Sequence, residues 1–235
     1  MHTGQMHWLW ILSILIMSKV NLYIDYLSQP SRAVLAFCLV NEIPHEVKET
    51  RIFTGAHRTQ EFSKISPAKT VPAIEHEGFV LYESHAIMAY LANAFGKTEW
   101  YPRDPKERGL VDCYLNWHHL NVRFGCGGYL YRKFVKPKLT GRTIPKETEK
   151  EVLLNQRKSL LFLENILESH SYVARTEHPS IADLSCYAEL VQLRMIQFDF
   201  NRYPNISSWM QRIESYEGVK KAHRVFNKLL PKIKL

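Results

Sequence analysis

The sequence contains no C-x-x-C pair. Its four cysteines lie far apart, at Cys38, Cys113, Cys126 and Cys186. Nothing in this spacing indicates a secreted disulfide framework or a redox-active dithiol. Cys38 and Cys186 lie in apolar helical patterns, which predict buried free thiols. Such cysteine usage suits a reducing compartment, so we expect a cytoplasmic protein.

A hydrophobic run long enough to cross a bilayer is also missing. Residues 8–17 are largely apolar, but they are too few to span the membrane as a helix. A signal peptide has basic residues before its apolar run and a small-x-small cleavage site after it, and this run has neither. We expect residues 1–17 to be an N-terminal extension, either disordered or upstream of the true start. A signal sequence or membrane anchor is the alternative.

Signals for metal and nucleic acid are lacking too. The eleven histidines form no ligand constellation, and adjacent His118 and His119 are expected on different helix faces, so no metal is predicted. The net charge of +8 favours anionic ligands. The basic residues are dispersed, with neither zinc-finger spacing nor an RNA-binding aromatic signature, so no nucleic-acid partner is predicted.

What is present indicates a globular chain of two parts. The 235 residues are 46% hydrophobic, enough for a full core. Strands are predicted at 20–26, 44–50, 71–75 and 79–82, with a hairpin at 76–78. Helices are predicted at 30–40 and 84–95, a short helix within the loop at 54–65, and, in the second part of the chain, a helix over 106–134. This β-α-β-α-β-β-α order predicts a parallel crossover and an antiparallel hairpin in one mixed sheet. The predicted organisation is the extension at 1–17, a small α/β domain at 18–95, a linker at 96–105 and an all-helical domain at 106–235.

The most informative motifs lie at the end of the α/β part. Val71 precedes Pro72 in a context that predicts a cis bond, an arrangement uncommon even for proline. A valine held there can offer its backbone N–H and C=O to an extended peptide, as a neighbouring strand would. Glu83 and Ser84, at the start of the next helix, can hold an ammonium and a carboxylate. Together these groups fit a peptide with an amino-acid head group.

In order and spacing, the motifs from Met17 onward resemble the cytosolic glutathione transferases, and most closely the theta class. The matching segments are 22–34, 55–57, 66–73, 83–87, 100–102, 108–118 and 180–184. The resemblance implies a thioredoxin-like N-terminal domain with a mixed four-stranded sheet, followed by an all-helical domain. It also implies glutathione as co-substrate, a small electrophile as second substrate, and a homodimer.

The resemblance assigns the central role to Ser28, between the first strand and first helix. Its hydroxyl would donate a hydrogen bond to the glutathione thiolate, helped by the positive end of the helix dipole. An ordinary N-cap serine is the alternative reading. Ser31 and Tyr23 are lesser candidates for the same role.

The other family positions concern the rest of glutathione. Val71, with Pro72 setting the turn, would pair with the cysteinyl residue, and Glu83 and Ser84 match the γ-glutamyl site. His57 aligns with a contact to the glycine carboxylate. Theta members often carry a lysine at the position of Thr70. That positive charge is absent from this position here, and the neighbouring Lys69 would have to replace it.

Arg123 matches an arginine that the family places near the sulfur and the second-substrate pocket; an exposed helical arginine is the alternative. Ser180 and Asp183 form an S-x-x-D capping box, a folding element rather than a site. Four large side chains, at Trp117, Tyr129, Met195 and Phe198, are interpreted as core.

The resulting hypothesis is a transferase in which Ser28 ionises bound glutathione, whose thiolate then displaces halide or sulfate from carbon. Few residues follow Leu230, so we expect no C-terminal lid helix and an open electrophile site. A non-catalytic transferase-like binding or assembly module is the alternative. A thiol-disulfide relative is disfavoured because no cysteine occupies the position of Ser28.

Overall fold

The computed structural model describes residues 18–232, so the expectation for residues 1–17 lies outside the described chain. Its strands are β1 (Val20–Ile24), β2 (His45–Glu49), β3 (Ala73–His76) and β4 (Phe79–Tyr82). They form one sheet in the order β2-β1-β3-β4, with β1 parallel to β2 and the remaining pairs antiparallel. The predicted mixed four-stranded sheet is confirmed.

Three helices belong to this half: α1 (Gln29–Val40), the short α2 (Gln60–Ser63) and α3 (Ser84–Ala94). Strand β1 fully buries alternate residues Val20, Leu22 and Ile24, because successive side chains of a strand point to opposite faces. Helices α1 and α3 contact each other and the sheet, so the apolar residues of β1 and these helices form one core.

The second half is helical. Its elements are α4 (Pro105–His118), α5 (Gly127–Leu130), α6 (Lys136–Thr140), α7 (Lys146–Ser169), α8 (Ile181–Gln192), α9 (Pro204–Glu214) and α10 (Glu217–Leu229). The sequence predicted one continuous helix over 106–134. That prediction is wrong in detail, because π-helical segments at His119–Arg123 and Tyr131–Val135 interrupt it. Hydrophobic periodicity indicates a helix without showing where the hydrogen bonding changes from i→i+4 to i→i+5.

Helix α8 joins the two halves. It is buried along its whole length and packs on α1, which also packs on α10. The predicted capping box at its start is confirmed: the Ser180 backbone N–H donates to Asp183 Oδ2 at 2.9 Å, and the Ser180 hydroxyl accepts from the Ala182 N–H. Asp183 Oδ1 also accepts from the Trp209 indole N–H at 2.9 Å, which ties α8 to α9.

Other predictions concern cysteine, histidine and the membrane. Cys38 and Cys186 are buried free thiols, as predicted. His118 is buried and His119 is exposed, as expected for different helix faces, and both rings approach the ring of His85, at 5.1 and 4.6 Å between centroids. Within residues 18–232, no group of three or more potential ligands is arranged to hold a metal ion. Over the same range, no helix combines the length and apolarity needed to cross a bilayer.

Candidate active site

A cavity of about 1200 Å³ lies where the N-terminus of α1, the loops around residues 52–58 and 69–71, and the segment 119–139 meet. Five of the predicted site residues line it: Ser28, His57, Thr70, Val71 and Arg123. The folded chain thus brings together, around one space, residues that span almost a hundred positions of sequence.

Ser28 is the N-cap residue of α1. Its hydroxyl oxygen accepts a hydrogen bond from the Ser31 backbone N–H at 3.4 Å, and its C=O accepts from the Arg32 N–H at 3.0 Å. Only 7% of Ser28 is exposed, on the cavity wall. Among the hydrogen bonds of residues 18–232, none uses the hydroxyl as a donor, so its proton is free for a ligand. The N-cap reading and the catalytic reading are therefore compatible.

The loop before α1 is held by Asp25. Its Oδ1 accepts from the Leu27 backbone N–H and its Oδ2 accepts from the Ile52 N–H, both at 2.8 Å. A carboxylate bonded to two backbone donors joins the Ser28 loop to the loop that leads to His57. The sequence prediction missed this residue, although an aspartate at the end of a buried strand was a signal for it.

Val71 precedes a cis peptide bond to Pro72, as predicted. It lines the cavity, whereas Pro72 is not part of the lining. Within the described residues, the Val71 N–H and C=O form no backbone or side-chain hydrogen bond. Both groups are therefore available to an extended ligand chain.

One end of the cavity combines a histidine with cations. His57 lies in a 3-10 turn (Ala56–Arg58) and is buried, and its Nδ1 has no partner among the described residues. Burial, and next the Arg58 charge, lower the pKa of His57. Arg58, Lys69 and Thr70 line the same region, so Thr70 does not leave it without positive charge. Arg58 was missed at the sequence level, because nothing in a loop sequence distinguishes a lining arginine from a solvated one.

The structure does not place Glu83 and Ser84 in the cavity lining. Glu83 is the exposed N-cap of α3, in an unusual backbone conformation with φ 70° and ψ 112°. Ser84 is the first, buried residue of that helix, so the N-cap position belongs to Glu83. A non-glycine residue at such a φ is costly and is often found at ligand sites.

Arg123 ends the first π segment, and its guanidinium lines the cavity. Its Nη1 donates to Glu189 Oε1 of α8 at 2.6 Å; the Glu189 side chain is 1% exposed and that of Arg123 is 40% exposed. Burial raises the pKa of Glu189, and the charges of Arg123 and Arg32 oppose this effect. No local pattern pointed to this pair, since 66 residues separate its members.

The helical wall of the cavity is both cationic and apolar. Besides Arg123 it carries Arg132, Lys136, Lys138, Phe124, Tyr131, Phe134, Leu139, Met195 and Lys232. Met195 was interpreted as core; it packs against the core and also reaches the cavity. Trp117, Tyr129 and Phe198 pack against the core and are not in the lining. The lesser candidates, Ser31 and Tyr23, are likewise absent from the lining.

Comparison with known proteins decides the family. Residues 22–99 match the family "Glutathione S-transferase, N-terminal domain", and residues 128–217 match "Glutathione S-transferase, C-terminal domain". The chain is 36% identical over 209 residues to glutathione S-transferase T1 of Arabidopsis thaliana, covering 88% of this chain and 85% of that one. It belongs to the glutathione S-transferases.

The similarity extends to the theta class. Glutathione S-transferase theta-1 of Mus musculus is 35% identical over 216 residues, covering 89% of this chain and 90% of the relative. A human glutathione transferase theta-2 structure with bound glutathione superposes with TM-score 0.83 at 30% identity, covering 91% and 89% of the two chains. A theta-class human structure with the glutathione conjugate of 1-menaphthyl sulfate gives the same values.

These relatives confirm the predicted recognition and fold class: this protein is a theta-class glutathione S-transferase, with a thioredoxin-like domain and a helical domain. It is accordingly an enzyme, and the alternative of a non-catalytic module finds no support in relatives that are named as transferases.

Proposed function

We propose that this transferase uses the Ser28 hydroxyl to keep the sulfur of bound glutathione ionised. The observation that carries the proposal is that Ser28 and Val71 line the same cavity, and that among the described residues the Ser28 hydroxyl has no acceptor and the Val71 backbone has no partner. The N-terminus of α1 adds the positive end of its helix dipole.

The free energy of one hydrogen bond is large enough to ionise the thiol near neutral pH. A free thiol has a pKa of about 8.5, and each unit of lowering requires about 1.36 kcal/mol. A hydrogen bond to a charged acceptor contributes about 1.5–3 kcal/mol, equivalent to roughly one to two pKa units. Ser28 alone therefore suffices to bring the thiol near neutrality, and the cationic Arg123 would add to the effect.

The other assignments follow the tripeptide outward from its sulfur. Val71 would pair its N–H and C=O with the cysteinyl backbone, with Pro72 fixing the turn. His57, Lys69 and Thr70 would bind the glycine carboxylate.

The γ-glutamyl end would bind at Glu83 and Ser84. Helix α3 begins at Ser84, so its backbone N–H and hydroxyl can meet a carboxylate there. Glu83 would meet the ammonium.

The cationic helical wall favours electrophiles that lose an anion. In the reaction the thiolate attacks an electrophilic carbon, the C–S bond forms, and the bond to halide or sulfate breaks. The leaving group departs with its electron pair, and the thiol proton has already passed to solvent. Arg123, Arg132 and Lys136 lie where such an anion can be stabilised.

The test is a titration of bound glutathione by ultraviolet difference absorbance of the thiolate. Ser28→Ala should raise the apparent pKa of the thiol by about one to two units, because the hydrogen bond is lost. Ser31→Ala is the matched control: Ser31 lies three residues later, is buried, and does not line the cavity. It should leave the titration unchanged.

Turnover of an arylmethyl sulfate, followed by sulfate release, tests the electrophile class. Equal thiol pKa values in wild type and Ser28→Ala would remove Ser28 from the mechanism. Retention on immobilised glutathione without any turnover would support a binding module instead.

We also propose that the enzyme acts in the cytoplasm as a homodimer. Large apolar side chains are exposed on β4 and on the helical half, namely Phe79, Val80, Tyr82, Leu120, Leu154 and Phe162. Leu120 is the most exposed of these six residues, at 76%. Contiguous exposed apolar groups mark a surface that a partner covers, and Phe79, Val80 and Tyr82 are neighbours on one strand. Sedimentation velocity at micromolar concentration should show a dimer, and a monomer there would contradict this part of the proposal.

A further inference from the structure

Among the described residues, Glu189 is the one hydrogen-bond acceptor for the Arg123 guanidinium. Nη1 donates to the buried Glu189 carboxylate, and Arg123 lines the cavity with its side chain 40% exposed. An arginine side chain has many rotamers in water, so an unanchored guanidinium would spend much of its time away from any one point. The contact with Glu189 therefore restricts where the positive charge lies.

A second arginine lies behind the pair. Arg32 of α1 is fully buried; its Nη2 donates to the Ala188 C=O at 3.3 Å and to Gln192 Oε1, and its Nη1 donates to the Tyr26 C=O at 3.1 Å. Burial lowers the pKa of Arg32 to about 9, an effect that the Glu189 charge opposes. Arg32 is thus still cationic at neutral pH.

The charges of this cluster do not cancel. One buried carboxylate lies among two guanidinium groups, giving a net charge of +1 when all three are ionised. A protonated Glu189 would leave two cations without a counter-charge, which burial makes expensive. Glu189 therefore does not cancel the positive charge of the cluster, and Arg123 can still attract an anion in the cavity.

Gly127 leaves the room that the Glu189 carboxylate occupies. A Cβ at this position would overlap Glu189 Oε2 and would lie 2.5 Å from Gln29 Nε2. Gly127, the first residue of α5 and a lining residue of the cavity, therefore leaves space for the Glu189 carboxylate beside Gln29 of α1.

We propose that Glu189 is a positioning residue that holds the Arg123 guanidinium where it can act on the sulfur of glutathione bound in the cavity. The inference rests on the proposed function, in which Arg123 stabilises negative charge at sulfur or on the leaving group. Glu189 itself touches no reacting atom.

A double-mutant cycle with Glu189→Gln and Arg123→Met tests this role. Glu189→Gln should lower kcat/KM about tenfold in the wild-type background, mainly through kcat, and less than about twofold when Arg123 is already Met. It should also raise the thiol pKa of bound glutathione toward the value found in Arg123→Met. Urea unfolding of each variant reports the structural cost separately.

Glu164→Gln is the matched control. Glu164 also uses its carboxylate as an acceptor, from the Asn205 and Ile206 backbone N–H groups at 2.9 and 3.0 Å, but away from the cavity. The activity of the Glu164→Gln variant should equal that of the wild-type enzyme. If Glu189→Gln fails to fold, Glu189→Asp, which keeps the charge and shortens the reach, replaces it in the cycle with the same expectation.

Three outcomes would overturn the inference: an equal loss in both backgrounds, no loss in either, or a fall of the thiol pKa. The last would mean that Glu189 acts only as a negative charge opposing the thiolate. The proposed function is tested apart from this, by Ser28→Ala and by Arg123→Met alone. An active wild type with an unaffected Glu189→Gln variant would contradict the positioning role only.

Discussion

At the scale of single residues, the oxygen and the proton of the Ser28 hydroxyl can have separate roles, one in capping α1 and one in catalysis. Its oxygen caps α1 through the Ser31 N–H, and its proton points to no group among the described residues. Capping also fixes the side chain before a ligand arrives, which lowers the entropy cost of forming a hydrogen bond to sulfur.

His57 offers a prediction at the same scale. Its buried Nδ1 lacks a partner among the described residues, and burial lowers the pKa of the ring, so a neutral imidazole is ready to donate. His57→Ala should raise the KM for glutathione about tenfold, the equivalent of one hydrogen bond to a carboxylate, with kcat nearly unchanged. Steady-state kinetics with varied glutathione measures this. The exposed His170→Ala should match wild type; a loss confined to kcat would place His57 elsewhere in the mechanism.

At the scale of elements, the interrupted helix over 105–140 forms one side of the cavity. Its two π segments, His119–Arg123 and Tyr131–Val135, both contribute lining residues. A π segment rotates the following side chains relative to an unbroken α-helix. Arg123 and the residues after it therefore face the cavity in a way that the helical period alone does not predict.

The packing of this stretch on α7 gives a second prediction. A Cβ at Gly125 would lie 2.6 Å from the Gln156 Cα and 2.7 Å from its backbone N, so Gly125→Ala must push the two helices apart. We expect a loss of about 1–3 kcal/mol in the free energy of unfolding, measured by urea denaturation.

Gly109 is the matched control, because it lies inside α4 and a Cβ added there would meet no atom of the described residues within 4 Å. Gly109→Ala should stabilise the protein by roughly 0.5–1 kcal/mol through backbone entropy and helix propensity. Similar stability changes for the two variants would show that the helix contact at Gly125 is looser than these distances indicate.

At the scale of the whole molecule, one core runs through both halves, and buried polar groups within it make stability depend on pH. His223 of α10 is 1% exposed; its Nδ1 lies 2.9 Å from the Val219 C=O and its ring packs edge-on against Tyr187. Burial, and next the charge of Arg32, lower the pKa of His223 to about 3.

The depressed pKa predicts a loss of stability in acid. Below the unfolded-state pKa of about 6.5 the unfolded chain binds a proton that the folded chain refuses, so stability falls by up to about 1.4 kcal/mol per pH unit. His223→Phe should therefore gain about 2 kcal/mol relative to wild type between pH 7 and pH 5. Urea midpoints at both pH values measure this difference. A pH-independent difference would show that the pKa of His223 is the same in the folded and unfolded chains.

Local signals in the sequence were enough for the elements and for much of the site. Strand alternation at Val20–Ile24, the hairpin before Phe79 and the capping box at Ser180 are short-range patterns, and each is confirmed. Ser28, Val71 and His57 were found because family motifs surround them in sequence. Their catalytic and binding roles remain predictions.

The sequence by itself determined the order of elements, the fold class and the family, because patterns and motifs a few residues long are enough to predict all three. Only the tertiary structure decided that Glu189 meets Arg123, that Arg32 lies behind them, and that Arg58 and Met195 reach the cavity. Pairings between residues so distant along the chain depend on how α1, α8 and the interrupted helix pack. No local period or spacing encodes such packing.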